Sequence, residues 1–190
     1  MSKQSPPEDA AWPTATVFTV GHSTLPIDKF LAVLAAYGIE QLADVRTVPR
    51  SRRNPQFSAD ALQASLAAAG ISYVPLAELG GLRKPRADSA NLGWRNESFR
   101  GYADYMQTEQ FGSGLERLIA LASQRRTAIM CAEAVPWRCH RSLVGDALVV
   151  RGFGVVDILS ETSYRDHELT QFAHVVGTAV TYPPAQSSLL

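Results

Sequence analysis

Apolar residues recur along this chain at two spacings, one typical of strands and the other typical of helices. Short apolar or β-branched runs predict five strands, at residues 14–20, 39–45, 71–76, 127–131 and 155–159. Apolar residues at helical spacing predict helices between those strands, at residues 27–37, 59–69, 99–106, 111–124 and 139–151. Strands that alternate with helices indicate βαβ units, in which neighbouring strands run parallel.

The predicted architecture is therefore an α/β fold, a single three-layer domain with a mainly parallel five-stranded sheet and helices on both faces. We expect this domain to span residues 14–182, between a flexible N-terminal tail (residues 1–13) and a short C-terminal tail (residues 183–190). After residue 160 the periodicity is weak, and only residues 179–182 indicate an additional edge element.

Polar residues and glycines follow the predicted strands. In parallel sheets ligands bind outside the carboxyl ends of the strands, so these residues are expected to converge. Arginine suits a carboxylate or phosphate, and glycine lets the backbone approach a ligand closely. Asp44 and Arg46 could equally form a structural pair, and His22 could cap a helix. The candidates for ligand binding are Ser23, Asp44, Arg46, Arg50, Arg52, Gly80, Gly81, Arg138, His140 and Arg141.

Positive charge is concentrated in two loops, although the chain as a whole is neutral. Eighteen Lys and Arg residues balance eighteen Asp and Glu residues, which gives no general attraction to nucleic acid or anionic membranes. Between residues 46 and 100, however, nine basic side chains accompany only four acidic ones. This basic patch predicts an anionic small molecule or a nucleic-acid strand as partner, with Trp94 available to stack on a base. A solvated loop with internal ion pairs is the alternative interpretation.

The stretch from residue 129 to residue 142 carries both cysteines of the chain. Cys139 lies near the start of a predicted helix between Arg138 and Arg141, and these neighbours favour a thiolate. Cys139 could therefore be a nucleophile, with Glu133 and His22 supplying acid–base catalysis.

Two other interpretations of the cysteines remain open. Cys131, Cys139 and His140, with His22 as a further candidate, could bind a metal, although adjacent Cys139 and His140 are unusual ligands of a single ion. Alternatively, both cysteines are buried apolar groups, and Glu133 with the arginines binds the ligand. No phosphate-binding loop or dinucleotide fingerprint is present, so no particular cofactor is predicted.

Two cysteines are too few for a disulfide framework, and no apolar run is long enough to span a bilayer. We therefore expect a cytoplasmic protein with reduced thiols and no membrane partner.

The chain contains several short motifs: Val20-Gly-His-Ser23, Asp44-Val-Arg46, Pro49 to Phe57, Leu79-Gly-Gly81, Met130-Cys-Ala-Glu133 with Pro136, and Cys139-His-Arg141. Together these motifs resemble the family called domain of unknown function 488, over residues 14–182. The resemblance implies a compact α/β domain and no particular reaction. A looser similarity to rhodanese-like sulfurtransferases rests on Asp44-Val-Arg46 and the strand-end cysteine loop. That loop is longer here and lacks a Cys-Arg-x-Gly-x-Arg pattern.

The first functional hypothesis is an enzyme that acts on a phosphate- or carboxylate-bearing, nucleotide-like small molecule in an arginine-rich site at the strand ends. The alternative is a non-catalytic module that binds nucleic acid or a nucleotide, and a second alternative is rhodanese-like thiol or sulfur chemistry. A deep pocket that holds Cys139, Glu133 and His22 would favour the enzyme. An open basic groove with an exposed Trp94 would favour the binding module.

Overall fold

A computed structural model of the chain describes residues 12–50 and 52–184. Within these ranges the helices are α1 (Ile27–Ala36), α2 (Ala59–Ala68), α3 (Glu97–Tyr105), α4 (Glu109–Ala122) and α5 (Arg141–Val149). The strands are β1 (Thr16–Gly21), β2 (Gln41–Asp44), β3 (Ser72–Pro75), β4 (Thr127–Cys131), β5 (Gly154–Ser160), β6 (Ser163–Asp166), β7 (His174–Val176) and β8 (Ala179–Thr181). None of the helices in these ranges is long and apolar enough to cross a membrane.

Six strands form one mixed sheet in the order β3-β2-β4-β1-β5-β6. The first five run parallel to their neighbours, and β6 pairs antiparallel with β5 at one edge. β7 and β8 form a separate two-stranded hairpin. Because β1, β2 and β4 are adjacent and parallel, the loops that follow them leave the sheet at the same end.

Both faces of the sheet are covered, because successive strand residues point to opposite sides. Val17 packs with α3, α4 and α5 on one face, whereas Phe18 packs with α1 and α2 on the other. Helix α5 is buried along eight of its nine residues, since it lies against the sheet and beneath the C-terminal segment. The predicted three-layer α/β fold is therefore confirmed.

The predicted strand count was too low by one in the main sheet. β6 was missed because its Ser-Tyr-Arg-Asp sequence does not show the alternation of apolar and polar residues that predicts a strand. The strand is also only half-buried. The predicted helix 139–151 is also shorter, since Pro136–Arg138 forms a short 3₁₀ turn and α5 begins at Arg141.

The two predicted tails fall mostly outside the described residues, which omit residues 1–11 and 185–190. Trp12, at the end of the predicted N-terminal tail, packs edge-on against the rings of Phe18 and Tyr164.

Candidate functional site

A cavity of about 650 Å³ opens at the carboxyl ends of β1, β2 and β4. It contains both cysteines and most of the residues predicted to form the site. Asp44, Gly80 and Arg141 lie behind its wall, and Arg52 is exposed outside it. The predicted site residues that line the cavity are His22, Ser23, Arg46, Arg50, Gly81, Glu133, Arg138, Cys139 and His140.

The turn after β1 is held tightly against the loop after β4. The backbone N–H groups of His22 and Ser23 donate to the carbonyls of Cys131 and Ala132, at 3.0 and 2.9 Å. Gly21 is required here, because a Cβ atom would collide with the carbonyl of Glu133. Ser23 has a φ of 47°, a conformation that L-residues rarely adopt outside functional or strained turns.

Asp44 and Arg46 form a buried ion pair. Arg46 Nε and Nη2 donate to the two carboxylate oxygens at 2.9 and 2.6 Å, and the Tyr73 hydroxyl donates to Asp44 Oδ2 at 2.8 Å. Arg46 Nη1 donates to the Phe57 carbonyl at 2.8 Å. The guanidinium is therefore already occupied by groups of the protein, and it organises the wall of the cavity.

The His22 ring lies on this wall as a neutral imidazole. Its Nδ1 donates to the Ser23 carbonyl at 2.8 Å, so Nε2 is left to accept from Arg46 Nη1 at 3.3 Å. The ring stacks on Phe57 with centroids 4.1 Å apart. Burial lowers the pKa of His22 to about 4, and the nearby Arg46 and Arg141 charges act in the same direction.

Cys131 and Cys139 are free thiols that lie side by side. The hydrogen bond from Cys131 lowers the pKa of Cys139, and the same bond raises the pKa of Cys131. His140 and Arg141 also lower the pKa of Cys139. Cys139 is therefore the more acidic thiol of the pair.

Arg141 is almost completely buried, with 1 % of its surface exposed, at the first position of α5. In the described part of the chain its hydrogen bonds go to Thr19 Oγ1 at 3.3 Å, to the Glu133 carbonyl and to Cys139 Sγ at 3.5 Å. None of these acceptors is a carboxylate. A buried cation needs a nearby anion, and the Cys139 thiolate is positioned to be that anion.

His140 is oriented by contacts on three sides. Its Nε2 donates to the Val45 carbonyl at 3.2 Å, which turns Nδ1 toward Cys139 Sγ at 3.6 Å. The Tyr102 ring lies 4.9 Å away between centroids. Gly81 lies against the imidazole so closely that a Cβ atom there would overlap it. The neighbouring Gly80 is buried against Thr47 in the same way.

Three exposed charged side chains complete the cavity: Arg50, Arg138 and Glu133. Glu133 accepts a hydrogen bond from the backbone N–H of Val135 at 3.2 Å, which orients its carboxylate within the loop. Arg50 and Arg138 make no ion pair within the described ranges, unlike the internally paired Arg46. The site thus contains two kinds of arginine, one built into its walls and one facing solvent.

Sequence analysis did not identify Thr19 or Tyr73 as parts of the site. Thr19 accepts from Arg141 and donates to Asp157 Oδ1 at 2.7 Å, and Tyr73 binds Asp44. Both residues lie within predicted strands, where a hydroxyl on a half-buried surface carries no signal of its own. Only their proximity to the strand ends could have indicated a role.

Comparison with known proteins identifies a family that the sequence of this chain matches. The family described as domain of unknown function DUF488 matches residues 26–148, well over half of the chain. The matched segment includes Asp44, Arg46 and both cysteines, and it begins just after His22. No curated protein and no solved structure matches significantly. The chain therefore belongs to the DUF488 family.

Proposed function

We propose that the protein is an enzyme that acts on a phosphate- or carboxylate-bearing small molecule of nucleotide-like size. The observation that carries this proposal is that Cys139, Glu133 and His22 share one cavity with the exposed Arg50 and Arg138. Holding an anion requires only the arginines. A thiolate, a carboxylate and a neutral imidazole at the same place support chemistry in addition to binding.

The arginines of this site have two different roles. Arg46 and Arg141 donate to protein acceptors and contact His22 and Cys139, whose positions they fix. Arg50 and Arg138 lie on the solvent side of the same cavity, where their guanidinium groups can form bidentate bonds to an incoming phosphate or carboxylate. We therefore assign substrate binding to Arg50 and Arg138.

The size and lining of the cavity also support a small ligand. Its volume of about 650 Å³ lies in the range typical of small-molecule sites. The exposed side chains of Val48 and Leu82 line it beside the arginines, and they offer an apolar surface to the uncharged part of the substrate. An anion joined to a flat or apolar group, as in a nucleotide, matches this combination.

The alternative of a nucleic-acid-binding module receives less support. Trp94 packs against Phe99 and Phe172 with centroids 4.7 and 4.8 Å apart, and against Tyr182 at 5.5 Å. Its indole Nε1 is buried. The ring surface is thus used within the protein, which leaves little of it for stacking on a base.

We also propose that the protein is cytoplasmic. Cys131 and Cys139 lie next to each other as free thiols, a state that a reducing compartment maintains.

Binding of AMP, inorganic phosphate and citrate to the whole chain tests the assignment of the arginines. Arg50→Ala and Arg138→Ala should each weaken binding of the best of these probes by roughly 10-fold or more, because a charge-assisted hydrogen bond is lost. Arg52→Ala is the matched control, since Arg52 is exposed in the same loop but outside the cavity, and it should change affinity less than about 2-fold.

Equal effects of the Arg52 and Arg138 substitutions would contradict the proposal. So would tight, steeply salt-dependent binding of single-stranded DNA with no affinity for the small anions, because that pattern belongs to a nucleic-acid-binding module.

A further inference from the structure

Three side chains that commonly bind metals meet at the floor of the cavity. The Sγ atoms of Cys131 and Cys139 and a ring nitrogen of His140 all lie within 4.8 Å of one another. All three residues line the same cavity. The protein contains only two cysteines, and both belong to this cluster.

The backbone explains how the adjacent Cys139 and His140 reach the same point. Cys139 has extended backbone angles (φ −127°, ψ 146°), whereas His140 has helical ones (φ −56°, ψ −15°) as the residue preceding α5. In a continuous strand neighbouring side chains point in opposite directions. This change of conformation between the two residues brings both side chains to one side.

His140 already has the orientation that a metal ligand requires. Because a carbonyl can only accept, the contact with Val45 places a proton on Nε2, so Nδ1 is the ring nitrogen that faces the cysteines and is available to a metal ion. Metal-binding histidines usually have their other ring nitrogen bonded to a carbonyl or carboxylate in this way. Gly81 and Tyr102 hold the ring in place from two further sides.

The separation of Cys139 and His140 matches that of two ligands of a tetrahedral ion, and Cys131 lies within 4.8 Å of both. With Zn–S of about 2.3 Å and Zn–N of about 2.1 Å, tetrahedral ligands are separated by about 3.6 Å (S to N) or about 3.8 Å (S to S). Cys139 Sγ and His140 Nδ1 are 3.6 Å apart. Two thiolates and an imidazole form a donor set that favours Zn²⁺ over Mg²⁺ or Ca²⁺, which prefer oxygen ligands.

Arg141 lies next to the proposed ligands and can stabilise them. Its Nε lies 3.5 Å from Cys139 Sγ, so it can donate to a metal-bound thiolate and balance its charge. Its other donors are fixed by Thr19 and the Glu133 carbonyl. Buried hydrogen bonds of this kind orient the ligands of metal centres.

We propose that Cys131, Cys139 and His140 bind one Zn²⁺ ion, with the fourth coordination position open to the cavity. Three protein ligands and one open position are characteristic of catalytic zinc sites, in which the ion polarises a substrate oxygen or a bound water. The identity of the substrate that binds at this open position rests on the proposed function. Zinc binding itself does not depend on any substrate.

Zinc titration of the chelator-treated whole chain, in competition with a metal indicator, tests this proposal. We expect one Zn²⁺ per chain, with affinity reduced at least about 100-fold in Cys131→Ser, Cys139→Ser and His140→Ala. His174→Ala is the control, because His174 is an exposed histidine far along the chain in β7, and it should leave the affinity unchanged.

Cobalt substitution of the unaltered chain keeps the test valid if a variant fails to fold. Co²⁺ should give sulfur-to-metal charge-transfer absorption together with the intense visible bands of tetrahedral coordination. Absence of binding at micromolar zinc, or binding that persists without the cysteines, would overturn the site. The affinity for AMP is measured separately, in the metal-free wild type and in metal-free Arg138→Ala. Failure of the zinc site can therefore be distinguished from failure of the proposed anion site.

Discussion

Replacing Arg141 by methionine is expected to reduce the free energy of unfolding by about 3–5 kcal/mol, the range found when one partner of a buried charged pair is removed. Methionine fills a similar volume but provides no donor. The substitution leaves the Cys139 sulfur, the Glu133 carbonyl and the Thr19 hydroxyl without the guanidinium that binds all three. Urea denaturation at neutral pH, monitored by tryptophan fluorescence, measures the change.

The matched control is Arg117→Met. Arg117 pairs with Glu78 at 2.8 Å on the surface, where both side chains are substantially exposed, and such pairs contribute at most about 1 kcal/mol. If the Arg141 and Arg117 variants lost similar stability, Arg141 would not be the internal support described above. Arg141→Lys should recover only part of the loss, because one ammonium cannot reach three acceptors in the geometry of the guanidinium fork.

His167→Gln is expected to destabilise the protein by about 3 kcal/mol at pH 6, because it removes a cation from between two buried carboxylates. His167 Nε2 is 2.9 Å from Asp146 Oδ1, and its Nδ1 is 3.6 Å from Asp157 Oδ2. Asp146 also accepts from the Tyr182 hydroxyl at 2.7 Å, so this cluster joins α5 and β5 to the C-terminal segment. Burial alone would lower the pKa of His167, but the two carboxylates outweigh it and raise that pKa to about 9.

The sign of the pH dependence follows from this shift. Because the folded-state pKa lies above the unfolded value of 6.5, the stabilisation is complete below pH 6.5 and is lost as the pH rises through about 9. Urea denaturation between pH 6 and pH 9.5 should therefore show falling stability in the wild type and a much flatter profile in His167→Gln. His174→Gln, at an exposed histidine, should retain the wild-type profile. Parallel profiles for wild type and His167→Gln would show that folding does not raise the pKa of His167.

Hydrophobic periodicity predicted the parallel core of the fold because those elements are buried in a regular pattern. Residues 128–131 form an uninterrupted apolar run after the β-branched Thr127, and β4 occupies Thr127–Cys131. β6 and β7 lack such a pattern, since their residues are half-buried or exposed. β8 falls within the edge element predicted at residues 179–182, although it pairs with β7 and not with the main sheet. Their pairing depends on tertiary contacts, such as those of His167, whose partner Asp146 lies in a different element.

The rule that ligands bind at the carboxyl ends of parallel strands also predicted which segments contribute to the cavity. It could not distinguish arginines that are built into the wall of the cavity from arginines that face solvent. Arg46 and Arg50 are four residues apart in one loop. Arg46 donates to Asp44 and to the Phe57 carbonyl, whereas Arg50 faces solvent. Likewise, Arg138 is exposed and Arg141 is buried within one short stretch. Backbone carbonyls decide much of this difference, and their positions are not encoded in any local pattern.

A turnover screen of the wild type and Cys139→Ser, with nucleotides, sugar phosphates and small carboxylates as substrates, tests the central claim most directly. Substrate loss and product formation are followed by mass spectrometry in zinc-supplemented buffer, and Arg52→Ala serves as the control with unaltered activity. We predict that the wild type converts at least one of these anions and that Cys139→Ser reduces kcat/KM at least about 100-fold, whether the sulfur reacts itself or holds the metal. Full activity in Cys139→Ser, or binding of these anions without conversion of any of them, would contradict the claim that this cavity is an active site.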